Sequence, residues 1–395
     1  MPLPTPFYAR TAALCESHRW KDWAGYHAVS SYDTCHEQEY LAFRYGAGLI
    51  DVTPLFKYDV VGADAAKFLS FATVKNISKL KPGRMTYCCW CDADGKVLDD
   101  GTIAHLSEGH FRVTSADPSF AWFASLAQGF AVEVKDLTDT IGALSLQGPK
   151  SREVLRDALS FDIDELKFFG VRDASYAGVP IRLSRTGYTG DLGYEIWVEN
   201  SHALTLWDAL LSEGKQHGLE PAGLDAMDVT RIEAGFILLG VDYRSARTCL
   251  VEAQKSSPFE IGLDWCVQLN RDPFMGQEAL LKEKAEGSKW AMVGLDIDWD
   301  ALEALYAEYG LPPQICSSPW RGGIPLYRDG VHIGQATSGS WAPILKKNLA
   351  IGQIHKSEAH LGNVIEIEHT VEFQRRRLPA RIVKTPFFDP PRKRS

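Results

Sequence analysis

The sequence has 395 residues, and 42 Lys and Arg against 51 Asp and Glu give a formal net charge of −9. A protein whose main partner is nucleic acid needs a surplus of clustered basic residues, so we expect no nucleic acid partner. With 45% hydrophobic and 24% charged residues, the composition excludes a mainly disordered, collagen-like or disulfide-dense chain. At about 100–200 residues per domain, the length predicts two or three domains.

The sequence gives no sign of a membrane or secreted protein. No run approaches the roughly 18 apolar residues of a membrane helix, and residues 1–6 lack the basic and apolar regions of a secretory signal. The eight cysteines follow no disulfide framework and predict reduced thiols. The cluster at 88–91 has no second Cys or His pair nearby, so we expect no metal site. We expect a cytoplasmic protein.

The first half of the chain predicts a mixed sheet with short helices. The first forty residues are irregular and aromatic, which suggests a segment that packs onto the rest of the molecule. Strands are predicted at 49–52, 56–61 and 87–91, and a helix from residue 64. The Asp- and Gly-rich stretch 92–96 predicts a tight turn.

A second, similar half is predicted from about residue 141. It contains strands at 143–148, 181–185 and 194–198 and helices at 150–159, 203–213 and 225–233. The order of strands and helices shows no clean βαβ rhythm, which favours an α+β arrangement.

The last hundred residues predict a small β-barrel or sandwich. After a helix at 299–309, short strands separated by Gly and Pro follow at 323–327, 331–337, 349–354, 364–367 and 379–383. The basic tail at 390–394 is expected to be a frayed end. We therefore predict domains at 1–140, 141–290 and 291–395.

Three segments contain candidate functional residues, and the first is Gly95–Asp100, with two adjacent carboxylates in a strand. Neighbouring strand residues face opposite sides, so only one of Asp99 and Asp100 can point into a given pocket. Such a carboxylate can bind a substrate amine, stabilise positive charge or move a proton. An Asp pair that caps a turn is the alternative.

The second segment is 186–196, where glycines at 187, 190 and 193 let the backbone approach a flat ligand. Tyr188 and Tyr194 offer stacking, and Glu195 offers a carboxylate that can accept two N–H bonds from an aminopyrimidinone ring. The segment is not a GxGxxG motif and no helix follows it directly, so a phosphate-binding loop is disfavoured. A plain hairpin turn remains the alternative.

The third segment is the helix at 223–235, which places Asp228 and Arg231 three residues apart. An ion pair within the helix is the simpler explanation, although Arg231 could also hold a ligand carbonyl or carboxylate. The chain contains no GxSxG, HExxH or Walker A motif, which disfavours those enzyme classes.

Taken in order, eight segments of the chain resemble the glycine-cleavage T-protein (aminomethyltransferase) superfamily of tetrahydrofolate-dependent enzymes, which includes a demethylase branch. The segments are RYGAGLIDV (44–52), GKVLDD (95–100), LSLQGP (144–149), TGYTGDLGYEI (186–196), DVTRIEAG (228–235), GLDW (262–265), MGQEAL (275–280) and ATSG (336–339). Together they span nearly the whole chain.

The resemblance implies two similar α+β halves that bind folate, a C-terminal β-barrel and a central channel for tetrahydrofolate. It also implies the site residues. Asp99 corresponds to the carboxylate near the reacting nitrogen, and Tyr87 to a tyrosine beside it. The implied folate-binding residues are Glu195, which recognises the pterin, with Tyr188, Tyr194, Arg231 and Trp265.

Departures from the family pattern concern the one-carbon donor. An extra stretch lies at 245–257, the histidine usual after the first strand is missing, and Ser115-Ala116-Asp117 is more similar to the demethylase branch. We therefore expect a one-carbon transferase that moves a methyl or aminomethyl group from a small donor to folate. An aminomethyl-lipoyl carrier protein as donor, or a folate-binding scaffold without catalysis, is the alternative.

Overall fold

Nineteen strands form two open sheets, one closed barrel and one separate hairpin in the computed structural model, which describes residues 1–395. In chain order the strands are β1 (Arg19–Trp23), β2 (Tyr26–Ser31), β3 (Ala47–Asp51), β4 (Phe56–Val61), β5 (Arg84–Cys91), β6 (Val97–Ser107), β7 (His110–Ser115), β8 (Glu133–Asp136), β9 (Ile141–Gln147), β10 (Val171–Tyr176), β11 (Val179–Ser184), β12 (Gly193–Glu199), β13 (Leu219–Pro221), β14 (Trp290–Ile297), β15 (Trp320–Arg328), β16 (Val331–Ala342), β17 (Lys347–His355), β18 (Val364–Val371) and β19 (Gln374–Val383).

Nine α-helices connect or cover these strands. They are α1 (Tyr8–Leu14), α2 (Glu37–Tyr45), α3 (Ala65–Ala72), α4 (Phe120–Leu126), α5 (Ser151–Arg156), α6 (Ala203–Gly214), α7 (Leu224–Glu233), α8 (Gln277–Glu286) and α9 (Trp299–Ala307). The helices predicted at 203–213, 225–233 and 299–309 are present within two residues at each end. No helix in the structure is both long and apolar enough to cross a membrane.

The two open sheets confirm the predicted α+β class. The five-stranded sheet has the order β5-β6-β7-β4-β8, and the six-stranded sheet has the order β10-β11-β12-β9-β3-β13. Strand β3 comes before β4 in the chain but pairs with β9 and β13 in the six-stranded sheet. The predicted division at residue 140 therefore does not coincide with the division between the sheets.

Side-chain alternation separates the two faces of the six-stranded sheet. On β9, Leu144 and Leu146 pack into a buried core with Tyr194 and Ile196 of β12. Helix α6 adds Leu206, Trp207 and Leu210, which recur at helical spacing and cover this face. The intervening residues Ser145, Gln147 and Glu195 lie on the opposite face.

The C-terminal strands close into a barrel in the order β14-β17-β16-β15-β18-β19, which confirms the predicted barrel. The first strand, β14, was not among the predicted strands. It pairs with both β17 and β19 and so closes the barrel. Closure leaves no free sheet edge, and residues such as Leu295, Leu326 and Ile365 fill the interior.

Helix α7 lies between the two sheets and the barrel. All of its residues are buried, its apolar residues share a core with Ile50 of β3 and Met85 of β5, and it packs against β16. At its end, Glu233 accepts hydrogen bonds from Arg44 of α2 (Nε, 2.9 Å) and from the Tyr40 hydroxyl (2.6 Å). These contacts explain why Arg44 and Glu233 occur in two of the motifs above.

The basic tail is bound to the protein, in contrast to the frayed end expected from the sequence. Arg392 makes a two-point ion pair with the buried Asp191 (2.7 and 2.8 Å), and the Phe388 N–H donates to the Glu233 carbonyl oxygen (2.8 Å). The tail therefore packs over the turn that leads into β12.

Candidate active site

The two adjacent acids of β6 have different environments. Asp99 lies opposite the core residue Trp90 of β5 and is fully buried. Its carboxylate accepts hydrogen bonds from the backbone N–H groups of Asp100, Ala116 and Asp117 at 2.7, 3.1 and 2.9 Å. Asp99 therefore holds the loop after β7, which differs from the expectation that it is the carboxylate facing the site.

Asp100 points to the other face of β6 and lies between two phenols. Its Oδ2 accepts a hydrogen bond from the Tyr87 hydroxyl at 2.7 Å, and its Oδ1 accepts one from the Tyr243 hydroxyl. Burial raises the pKa of the Asp100 carboxyl, although the hydrogen bonds from Tyr243 and Tyr87 act to lower it. Burial and the Asp100 charge raise the pKa of both tyrosines, so both remain hydrogen-bond donors near neutral pH.

Tyr87 also connects Asp100 to the protein surface. Its ring stacks on that of Trp265, with centroids 5.7 Å apart and planes at 16°. Trp265 is 62% exposed, and Lys75 Nζ lies 5.7 Å from its ring. The predicted residues Tyr87 and Trp265 are thus in contact, and an aromatic surface leads from solvent toward Asp100.

Glu195 lies on the face of the six-stranded sheet that is opposite to helix α6. It is opposite Ser184 of β11 and Ser145 of β9, and its side chain is half-buried. Burial raises the pKa of the Glu195 carboxyl, while the nearby Thr186 hydroxyl, as a hydrogen-bond donor, acts to lower it. The acid is therefore surrounded by hydroxyl groups with no fixed positive partner.

The two tyrosines of this hairpin have different positions. Tyr188 is half-buried, donates its hydroxyl hydrogen to the Ile237 carbonyl oxygen and stacks on Phe236 (5.6 Å between centroids). Tyr194 is fully buried in the apolar core, on the face of β12 opposite to Glu195, and accepts a hydrogen bond from Arg152. The structure therefore brings Tyr188 to the site but leaves Tyr194 in the core.

Arg231 is fully buried in an ion-pair network. Its Nε donates to Asp228 (2.7 Å) and its Nη1 donates to Asp242 (2.5 Å). Asp242 also accepts hydrogen bonds from Thr337 (2.6 Å) and Ser338 (2.7 Å) of the barrel strand β16. The second terminal nitrogen, Nη2, is buried and has no partner.

The segment 237–243 links these groups: the Ile237 carbonyl oxygen accepts a hydrogen bond from Tyr188, Asp242 pairs with Arg231, and Tyr243 donates to Asp100. The pKa of Tyr188 reflects the same arrangement. Burial is the largest cause of its raised pKa, the Arg231 charge acts to lower it, and the charges of Asp100 and Asp242 raise it further. The Tyr188 hydroxyl is thus within electrostatic range of both the Asp100 carboxylate and the Arg231 guanidinium. We call the group formed by Asp100, Tyr87, Tyr243, Tyr188, Arg231, Asp228 and Asp242 the Asp100 cluster.

Sequence reasoning missed Tyr243 and Asp242. Both follow α7 in the stretch Leu239–Arg244, where the chain departs from the family pattern. Tyr243 and Asp100 are 143 positions apart in the chain, so a local sequence motif does not reveal the hydrogen bond between them.

A surface depression lies elsewhere and contains none of the predicted residues. It has a volume of about 440 Å³ and is lined by residues of α2, by residues 216–220 and by Lys150. No three His, Cys, Asp or Glu side chains are grouped so as to hold a metal ion.

Two family models match the chain. Residues 7–271 match the GCVT N-terminal domain, and residues 310–389 match the glycine cleavage T-protein C-terminal barrel domain. The second match covers most of the closed barrel, from before β15 to the tail that packs over the hairpin.

Similar proteins match over most of their length. The aminomethyltransferase of Thermoanaerobacter pseudethanolicus is 34% identical over 334 residues, which cover 83% of this chain and 84% of that protein. The aminomethyltransferase of Thermotoga maritima is 31% identical over 391 residues, or 97% of each chain. The crystal structure of glycine cleavage system aminomethyltransferase T from Bartonella henselae has a TM-score of 0.83 and 26% identity, and covers 98% of this chain and 99% of that one.

Proposed function

We propose that this protein transfers an aminomethyl carbon to tetrahydrofolate. The chain belongs to the glycine cleavage T-protein family, whose two domain models match residues 7–271 and 310–389. The observation that carries this proposal is the Asp100 carboxylate, which accepts hydrogen bonds from the hydroxyls of Tyr87 and Tyr243. A carboxylate held in this way can bind an amine and stabilise the positive charge that develops on it during one-carbon transfer.

The residues of the site fit a reduced folate. The partnerless Nη2 of Arg231 can donate to a ligand carbonyl or carboxylate oxygen, and such an acceptor would satisfy a buried donor that the protein leaves unpaired. Glu195, surrounded by hydroxyls, can accept two N–H bonds from the aminopyrimidinone edge. Trp265 and Tyr188 offer ring faces. Tetrahydrofolate, when bound, supplies the amine nitrogens that take up the one-carbon unit.

We assign the role predicted for Asp99 to Asp100. All three hydrogen bonds of Asp99 are made to backbone N–H groups of its own sheet and loop. Asp100 instead shares its face of β6 with Tyr87 and Tyr243. Because its pKa is raised, the Asp100 carboxylate is a better proton acceptor than an exposed aspartate. It can hydrogen-bond an amine beside it or take a proton from that amine onto Oδ.

Tyr87 and Tyr243 act on Asp100 and need not exchange protons themselves. Their raised pKa keeps their hydrogens in place, so they orient both carboxylate oxygens before the reaction begins. Orientation of this kind lowers the reorganisation needed in the transition state. Tyr194, which is in the core, has no part in this proposal.

A small methylated donor is the second candidate, and the extra stretch at 245–257 favours it. Ala246 N–H donates to the Val97 carbonyl oxygen (2.8 Å), Val97 N–H donates to the Ser256 carbonyl oxygen (2.9 Å), and Arg247 donates to the Pro118 carbonyl oxygen (2.5 Å). The stretch therefore contacts both β6 and the loop at 116–118, on either side of the two acids. These contacts would change the shape of the site near Asp100, where the one-carbon donor would bind.

A donor screen distinguishes the two candidates. The protein would be incubated with tetrahydrofolate and, separately, an aminomethyl-lipoyl carrier protein, methylated amines, sulfonium compounds or methoxyaromatics, and the folate product identified by mass spectrometry. Formation of 5,10-methylene-tetrahydrofolate from the carrier protein would support aminomethyl transfer. Formation of 5-methyl-tetrahydrofolate would support the second candidate. Tetrahydrofolate binding without turnover of any donor would contradict both and leave the scaffold alternative.

A further inference from the structure

A buried amide connects the sheet to the glycine-rich hairpin. Gln147, the last residue of β9, is fully buried. Its Nε2 donates to Ser145 Oγ (3.0 Å) and to the carbonyl oxygens of Thr186 (3.2 Å) and Tyr194 (3.4 Å). Its Oε1 accepts a hydrogen bond from Thr189 Oγ1 (3.0 Å). One side chain therefore bonds to its own strand and to both arms of the hairpin.

The same amide explains two of the hairpin glycines. A Cβ built on Gly187 or on Gly193 would lie 1.9 Å from Gln147 Oε1, which is far below any real contact. Neither residue has a positive φ, so the backbone itself would accept a side chain there. Gln147 occupies the space that a side chain at 187 or 193 would need, so the position of this amide by itself accounts for both glycines.

Gln147 is also linked to the surroundings of Glu195. Gly193, which is opposite Gln147, and Glu195 lie on the same face of β12 because they are two residues apart. Ser145 and Thr186, the two nearest acceptors of Gln147, are also neighbours of Glu195. Ser145 is directly opposite Glu195 in the sheet, and the Thr186 hydroxyl is close enough to the Glu195 carboxyl to lower its pKa.

We propose that Gln147 is a positioning residue that orients Glu195 for the pterin by fixing Ser145, Thr186 and the backbone of the hairpin. This inference rests on the proposed role of Glu195. Gln147 is fully buried, so it would act through these neighbours. Asp100 is on another sheet and should be unaffected.

The first test replaces the amide and keeps its size. Gln147→Met removes all four hydrogen bonds, and Gln147→Glu removes the donors. We expect each variant to raise the calorimetric Kd and the KM for tetrahydrofolate by about tenfold and to leave kcat within about threefold. Gln277→Met is the matched control, since Gln277 donates to Leu269 and Arg271 carbonyl oxygens away from the hairpin. Unchanged Kd in both Gln147 variants would overturn the proposal, even if their stability in urea fell.

The second test uses the glycines and remains informative if Gln147→Met folds poorly. We expect Gly193→Ala to raise the Kd for tetrahydrofolate by about tenfold, because the new methyl displaces the amide. In a Gln147→Ala background the methyl has space, so Gly193→Ala should raise the Kd no further. Equal effects of Gly193→Ala in the two backgrounds would overturn the proposal.

A third comparison separates this inference from the proposed function. If Glu195→Gln alone leaves the Kd unchanged, the pterin role of Glu195 is wrong. If Glu195→Gln weakens binding and Gln147→Met weakens it equally in both backgrounds, only the inference about Gln147 is wrong. We expect Gln147→Met to have little further effect once Glu195 is replaced.

Discussion

The Asp100 cluster and the hairpin that carries Glu195 are built in different ways. Around Glu195, the supporting groups come from residues 145–147 and 184–195, which pair within one sheet. Around Asp100 they come from three separate parts of the chain: Tyr87 from β5, Tyr243 from the segment after α7, and hydroxyls of β16 that hold Asp242. The hairpin is therefore a local structure, whereas the Asp100 cluster exists only when sheet, helix and barrel are assembled.

This difference predicts different consequences of mutation. Changes in the Asp100 cluster should affect stability and turnover, because the cluster joins several parts of the fold. Changes in the hairpin should mainly affect folate affinity. The following predictions test this contrast, from the largest expected effect to the smallest.

Replacing Arg231 by Met should destabilise the protein by about 3–5 kcal/mol, because it leaves Asp242 buried without a positive partner and leaves Asp228 with Arg321 alone. Urea denaturation measures the change. Arg321→Met is the control: Arg321 is partly exposed and pairs with Asp228 alone, so about 1 kcal/mol is expected. Equal losses in the two variants would show that the buried network does not join the parts of the fold as described.

Asp100→Asn should lower kcat by about a hundredfold and leave the Kd for tetrahydrofolate within about threefold. The amide cannot take a proton or balance a positive charge. Asp99→Asn is the matched control and should lower stability, because Asp99 binds three backbone N–H groups, while kcat per folded molecule stays within about threefold. The reverse result would return the role to Asp99.

Glu195→Gln should raise the Kd for tetrahydrofolate by about tenfold with little change in stability, because a charged acceptor is replaced by a neutral amide. Calorimetry measures the Kd. Glu199→Gln serves as the control, since Glu199 is exposed at the end of the same strand. A Kd for Glu195→Gln equal to that of the control would remove Glu195 from the binding site.

Tyr243→Phe should shift the acidic limb of the kcat/KM profile to higher pH. The Tyr243 hydroxyl lowers the already raised pKa of Asp100, so its loss raises that pKa further. Activity that needs the ionised carboxylate then begins to fall at a higher pH. Tyr176→Phe also removes a buried hydroxyl, but one bonded to the Val154 carbonyl oxygen, and should leave the limb in place. A limb that does not move, or moves to lower pH, would contradict the assignment.

Much of the hairpin could be predicted from the sequence. The alternation of Leu144, Leu146 and Ile196 with polar residues predicts strands with one buried face, and the glycines between them predict a turn. These patterns involve residues close in the chain, so local periodicity is enough to identify them. The same is true of the barrel strands with their regular Gly and Pro breaks.

The sequence alone determined the α+β class, the C-terminal barrel and the family, while the tertiary structure decided which side chains meet. A bulge between Trp90 and Cys91 changes the pairing of β5 with β6, and a shift of one residue exchanges the two faces of a strand. The choice between Asp99 and Asp100 therefore depends on which face packs against the core. Tyr243 and the partners of Arg231 likewise come from distant parts of the chain, and no local pattern specifies such contacts.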